Sequence, residues 1–216
     1  MMTFFKFGII LLNLIICCHA FAWTLEHDKN GIKIYTQQMS DSDFKAFRGT
    51  VTVNSTLLNV VAHHVDLQAM PDWLQDCKKS ELISSANGQD FYIYQQTDAP
   101  WPVTDRDYVL HMHFEQDPVN YVVTISFEAT QAFNKSDKDC VPVSRLKGLW
   151  RFTPEADNKV FIEYETFADP AGDIPSWLAN AFVVDQPLGT LRNLRQRVEN
   201  NTYALPEMFN YIKTPE

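Results

Sequence analysis

The stretch from Asp169 to Val198 reads DPAGDIPSWLANAFVVDQPLGTLRNLRQRV, and its reading decides how the rest of the chain must be arranged. It opens on a Pro/Gly turn, passes through Ile174-Pro175 and becomes an apolar stripe at helical spacing. Ile174, Leu178, Ala181, Phe182, Leu188, Leu191, Leu194 and Val198 share one broad face. Pro187 falls inside the stripe, and a proline within a helix costs about 3 kcal/mol through a lost hydrogen bond and a ring clash. Either the helix kinks there, or Asp185 helps to cap a second segment. Because the stripe keeps its phase on both sides, the pattern predicts a kinked but nearly continuous helix. Such a helix needs a surface to cover.

The preceding chain supplies one. Gly31 to Gln38 and Phe44 to Val53 alternate as strands, and Asn54 or Ser55 then reads as the N-cap of a helix from Thr56 to about Leu67. Leu57, Val60, Val61, His64 and Val65 form its buried face, and Met70 to Leu74 is a short helical turn carrying Trp73. Three strand pairs follow. Lys78–Ser84 and Asp90–Thr97 flank Asn87-Gly88, the strongest short hairpin signal in the chain. Arg106–Glu115 and Tyr121–Ala129 flank a turn at 117–120, and Pro142–Phe152 and Val160–Ala168 flank another at 154–158. Closing that last turn sets Phe152 opposite Ile162 and Arg151 opposite Glu163, with Trp150 and Tyr164 facing inward. Meandering hairpins without βαβ alternation imply an antiparallel sheet and an α+β fold.

The first residues have the form of an export signal. Lys6 gives a positive start, 7–18 is almost wholly apolar, and Ala20-Phe21-Ala22 is a cleavage site of the A-x-A kind. The apolar run is shorter than the roughly 20 residues that a membrane span needs. We therefore expect a signal peptide at 1–22, removed near Ala22, and one domain over 23–216 that works in the periplasm or outside the cell. The net charge is −9, and it becomes one unit more negative without Lys6. That balance argues against nucleic acid and against tight docking on anionic lipid. It leaves room for transient membrane contact through an apolar patch. Cys17 and Cys18 leave with the leader; Cys77 and Cys140 remain, and the sequence leaves their pairing open.

Three further segments have a distinctive form: Trp101-Pro-Val-Thr-Asp-Arg106-Asp107-Tyr108-Val109, Gly148-Leu-Trp150-Arg-Phe152-Thr-Pro154, and the Asp169–Leu178 turn into the last helix. In order and spacing they resemble the START family, the StAR-related lipid-transfer domains, across essentially the whole of 23–216. The resemblance implies a helix-grip fold, in which a curved antiparallel sheet wraps a long C-terminal helix over a lipid-sized cavity. Sterol-binding members carry an arginine on the central strand where this chain has Met112, flanked by His111 and His113. Their buried charged pair therefore does not carry over.

Candidate chemistry is sparse. Arg106-Asp107 reads either as a clamp on a ligand headgroup or, more simply, as a tie between the Trp101 loop and its neighbours. His63-His64 and His111-x-His113 lack the third ligand that a zinc site needs. Glu163 and Glu165 read as an outward acidic face. No nucleophile elbow, Cys/His pair or phosphate-binding glycine loop occurs, and there are only 7 glycines. What remains is a set expected to face the space between helix and sheet, apolar and aromatic apart from Arg106: Trp73, Trp101, Arg106, Met112, Trp150, Tyr164, Trp177, Leu178, Ala181 and Phe182. Pockets for small molecules are lined in this way. The expectation is a monomeric, non-enzymatic protein without metal or cofactor that binds a lipid or other hydrophobic small molecule, with Ala181→Trp blocking uptake. The alternatives are a helix-grip enzyme of the cyclase or aromatase type, and an envelope interaction protein with a closed core.

Overall fold

A computed structural model describes residues 22–215. The expected leader, with Cys17 and Cys18, falls almost wholly outside the described residues. Ten strands form one open antiparallel sheet in the order β1-β2-β3-β10-β9-β7-β6-β5-β4, with the short β8 (Val141–Pro142) lying parallel to β6. The strands are β1 Thr24–Lys29, β2 Ile32–Gln38, β3 Lys45–Asn54, β4 Cys77–Ala86, β5 Asp90–Thr97, β6 Arg106–Gln116, β7 Val123–Ala129, β9 Arg145–Glu155 and β10 Lys159–Asp169. β1 escapes the sequence pattern because it lies at the sheet edge with five of its six side chains exposed, so no apolar alternation marks it.

The hairpins close as their turns dictate. Asn87 and Gly88 both take positive φ between β4 and β5. Asp157 and Asn158 do the same between β9 and β10, setting Phe152 opposite Ile162 and Arg151 opposite Glu163. Arg151 donates to Glu163 Oε2 at 3.1 Å. On the same pair Trp150 and Tyr164 stack inward at 3.9 Å, with their rings 5° from parallel.

Helix α1 (Leu57–Val65) starts one residue later than the pattern predicts. Thr56 is its N-cap and accepts from the Asn59 amide. Asn54 and Ser55 are occupied elsewhere: Asn54 donates to Glu199, and Ser55 donates to the Val198 carbonyl. They hold the end of the C-terminal helix instead. A short α2 (Met70–Trp73) buries Trp73 against Trp150.

The C-terminal segment departs from a nearly continuous helix. It is two helices, α3 (Ser176–Phe182) and α4 (Asp185–Asn200), parted at Val183-Val184. Pro187 falls in the first turn of α4, where a missing N–H costs nothing, so the break precedes the proline. Only α4 grips the sheet, burying Leu191, Leu194 and Val198. Its close approach depends on Gly49 of β3, where a Cβ would come within 2.6 Å of Leu191 Cδ1. The tail folds back with Phe209 stacked on Phe91 at 5.4 Å. No helix of the described residues is long and apolar enough to cross a membrane.

Candidate functional site: the cavity under the last helix

A cavity of about 250 Å³ lies between the concave face of the sheet and the roof made by α1, α2 and the start of α4. Strand alternation explains its walls. On β6 the even-numbered residues Arg106, Tyr108, Leu110 and Met112 face in; on β10 Tyr164, Thr166 and Ala168 do so. β9 contributes Leu146 and Trp150, α1 contributes His64, α2 contributes Met70 and Trp73, and α4 contributes Gln186.

Five expected site residues therefore meet here: Trp73, Arg106, Met112, Trp150 and Tyr164. The other five do not line this cavity, and this corrects the expected inner face. Trp101 is 93% exposed, Trp177 72% and Phe182 45%; Ala181 is also exposed and Leu178 half-buried. The reason is the break at Val183-Val184. It frees α3 from the phase of α4, and α3 buries none of its residues. Asn180 holds α3 to the start of β3, accepting from the Lys45 amide at 2.9 Å and donating to the Asp43 carbonyl at 3.1 Å. Phe182 instead borders a small groove with Phe44 and Phe47.

Arg106 stands at the cavity margin and is a structural clamp. Its Nε donates to the Pro170 carbonyl at 3.0 Å, one terminal nitrogen donates to Ala171 at 3.1 Å, and the other donates to Thr104. It thus joins the Trp101 loop to the turn that leads into α3. Asp107 points the opposite way, accepting from the Tyr94 hydroxyl at 2.9 Å and the Asp137 amide at 2.5 Å. The two residues are not an ion pair.

The remaining lining groups are uncharged. Burial holds His64 far below its ordinary range, at about 3, so its ring is neutral. Burial pushes the Cys77 thiol up to about 11, and a backbone hydrogen bond with Lys79 offsets this only in part. Tyr108 and Tyr164 are likewise raised by burial. Tyr108 shares a 2.8 Å hydrogen bond with Thr97. Among the described lining residues there is no carboxylate.

Sequence reasoning placed His64 on a buried helix face but did not connect it with the cavity. Tyr108 and Thr166 were legible as two-residue steps from Arg106 and Tyr164. Gln186 carried no signal, because its position depends on where the helix breaks. The other three candidate histidines have structural partners. His63 stacks on Tyr203 at 4.0 Å, and His111 and His113 each meet Asp90 Oδ1 at 2.9 Å. No group of three or more potential ligands for a metal occurs among the described residues. Cys77 and Cys140 are both free thiols.

Known proteins share this architecture. The START domain family model matches residues 12–203. An uncharacterized protein of Pseudomonas aeruginosa is 33% identical over 82% of this chain and 87% of its own length. The phosphatidylcholine transfer protein of Bos taurus is 27% identical over 74% of this chain and 76% of its own. Among solved structures, a StAR-related lipid transfer protein fragment from Xanthomonas axonopodis is 37% identical, with a TM-score of 0.74 over 81% of this chain and 97% of that one. Human StAR-related lipid transfer protein 5 reaches a TM-score of 0.75 at 15% identity, covering 82% of this chain and 86% of its own, a likeness of fold. An open antiparallel sheet gripping its last helix over an apolar cavity, with the family model spanning nearly the whole chain, places this protein in the START domain family.

Proposed function

We propose that the protein is an exported, non-enzymatic binder of a lipid or other hydrophobic small molecule, held in the cavity beneath α4 and exchanged with membranes. The observation that carries this reading is the lining itself. Aromatic and aliphatic side chains dominate it, and its one ionised group, Arg106, is engaged with backbone carbonyls. Burying an acyl chain there gains about 0.8 kcal/mol per methylene, which suffices for a carrier without any chemical step. The neutral His64, Cys77, Tyr108 and Tyr164 favour binding over the cyclase-type alternative, since none is poised as an acid or base near neutral pH.

The cavity is slightly smaller than the roughly 300–1,000 Å³ of pockets for drug-sized ligands, so a two-chain lipid requires it to widen. The natural place is the turn at Ala171 and Gly172, both at positive φ, between β10 and the unburied α3.

Native mass spectrometry of protein purified from the cell envelope tests the reading. A stoichiometric lipid adduct is expected, and Ala168→Trp, which fills the cavity wall, should abolish it in a protein of unchanged circular dichroism. Ala181→Trp, on an exposed position, should retain the adduct. An adduct that persists in Ala168→Trp, or none in the wild type together with no uptake from vesicles, would overturn the proposal.

A further inference from the structure

The cavity contains a group of polar atoms that nothing in the protein satisfies. His64 Nδ1 and Nε2, Trp73 Nε1 and Gln186 Oε1 are buried without a hydrogen-bond partner, and all belong to residues of this one lining; the Thr166 hydroxyl and the Gln186 amide engage Tyr164. Buried polar atoms are almost always paired, because leaving one unmade is costly. Several in one cavity therefore point to a bound partner that completes them.

Their chemistry narrows that partner. His64 and Trp73 are each 1% exposed, with ring centroids 5.8 Å apart. Two further rings pack on His64: Trp150 lies 5.2 Å and Phe152 5.6 Å from it. The Trp73 indole can only donate. The His64 ring, neutral in this apolar nest, offers one N–H and one bare nitrogen. A hydroxyl is the smallest group that accepts from the indole and donates to the imidazole. An ether or ester oxygen leaves the bare nitrogen unmet. A carboxylate or phosphate would be a buried charge without a cation, since the Arg106 guanidinium is turned to the Pro170, Ala171 and Thr104 carbonyls.

We propose that the ligand is an uncharged, hydroxyl-bearing lipid, such as a long-chain alcohol or a partial glyceride, with its hydroxyl seated between His64 and Trp73. This inference rests on the lipid-binding reading above and adds the class of headgroup.

Four probes with one twelve-carbon chain separate the possibilities in calorimetric titrations at pH 8: 1-dodecanol, dodecyl methyl ether, dodecanoate and dodecylphosphocholine. Dodecanol should bind about tenfold or more tightly than each of the other three, the discrimination expected when a buried donor or acceptor is left unpaired. His64→Phe should erase the advantage of the alcohol over the ether, leaving ether affinity within about twofold. Equal affinity for alcohol and ether, which would indicate that water serves His64, overturns the inference and leaves the lipid-binding reading intact. Tighter binding of either charged probe does the same. Failure of every probe to bind overturns both. The probe series requires no variant, so it decides the matter even if His64→Phe does not fold.

Discussion

His64 illustrates how burial sets chemistry at a single residue. Its ring is enclosed by Trp73, Trp150 and Phe152, and burial alone keeps it neutral down to about pH 3, whereas in the unfolded chain it takes a proton near 6.5. Between those values the unfolded state binds more protons than the folded one. Its stabilising effect is therefore complete above pH 6.5 and is lost progressively as the pH falls toward 3, by up to about 1.4 kcal/mol per pH unit. His63, lowered chiefly by burial, adds in the same direction. Asp90 acts in a lower window. It is held at about 2, first by its hydrogen bond with His113 and next by that with His111, so its contribution falls away only below about 3.8. Thermal unfolding between pH 7.5 and 4.5 thus reports on the histidines. The melting temperature should fall across that range, and His64→Phe should flatten the fall. An unchanged slope in His64→Phe would mean that the imidazole is already protonated within the fold.

At the scale of elements, the contact of α4 with β3 is set by one missing side chain. A Cβ on Gly49 would meet Leu191 Cδ1 at 2.6 Å and Ile34 Cδ1 at 3.1 Å, both in the packed core. Gly49→Ala should therefore push α4 off the sheet and destabilise the protein by about 1–3 kcal/mol, the usual cost of overpacking. Urea unfolding measures this, and combining Gly49→Ala with Leu191→Ala, itself costing about 2–5 kcal/mol at this buried site, should destabilise by less than the sum of the two single changes, because the clash is gone. If Gly49→Ala is as stable as the wild type, the helix is not seated as described. The same elements show what a sequence can convey. The pairing of β9 with β10 was legible because Arg151, Glu163 and the turn at 154–158 all specify one register, and a slip by one residue would turn Trp150 and Tyr164 outward. The break between α3 and α4 was not legible. Periodicity reports which residues share a face while a helix lasts, but Val183-Val184 has no proline or glycine to mark the interruption. Trp177, Ala181 and Phe182 were consequently assigned to an inner face that ends at α4. The unpartnered atoms of His64 and Gln186 were hidden for a related reason: their company comes from elements distant in sequence.

For the molecule as a whole, the exposed aromatic residues bear on how a ligand would enter or leave. Trp101 and Trp177 are largely solvent-exposed, and they sit on the two segments that Arg106 ties together, the loop before β6 and the stretch following β10. They therefore flank the margin of the cavity where widening is proposed. Tryptophan partitions favourably to the boundary between water and lipid, having an apolar body and one polar edge, so this pair is suited to touch a bilayer while the turn at Ala171-Gly172 opens. The net charge of −9 opposes a lasting stay on anionic lipid. Contact with membranes should thus be brief and driven by apolar insertion. Transfer of a fluorescent single-chain lipid between neutral vesicles should slow by about tenfold in a Trp101→Ala, Trp177→Ala double variant, equivalent to about 1.4 kcal/mol, while equilibrium binding of the same lipid in solution stays unchanged. Adding anionic lipid to the vesicles should slow the wild-type rate, and raising the salt, which shortens the screening length from about 10 Å at 0.1 M to about 3 Å at 1 M, should restore it. A double variant that transfers at the wild-type rate would remove the two tryptophans from the route. A wild-type rate that rises with anionic lipid would show that local positive charge, such as Arg106 released from its carbonyls, governs docking in place of apolar contact.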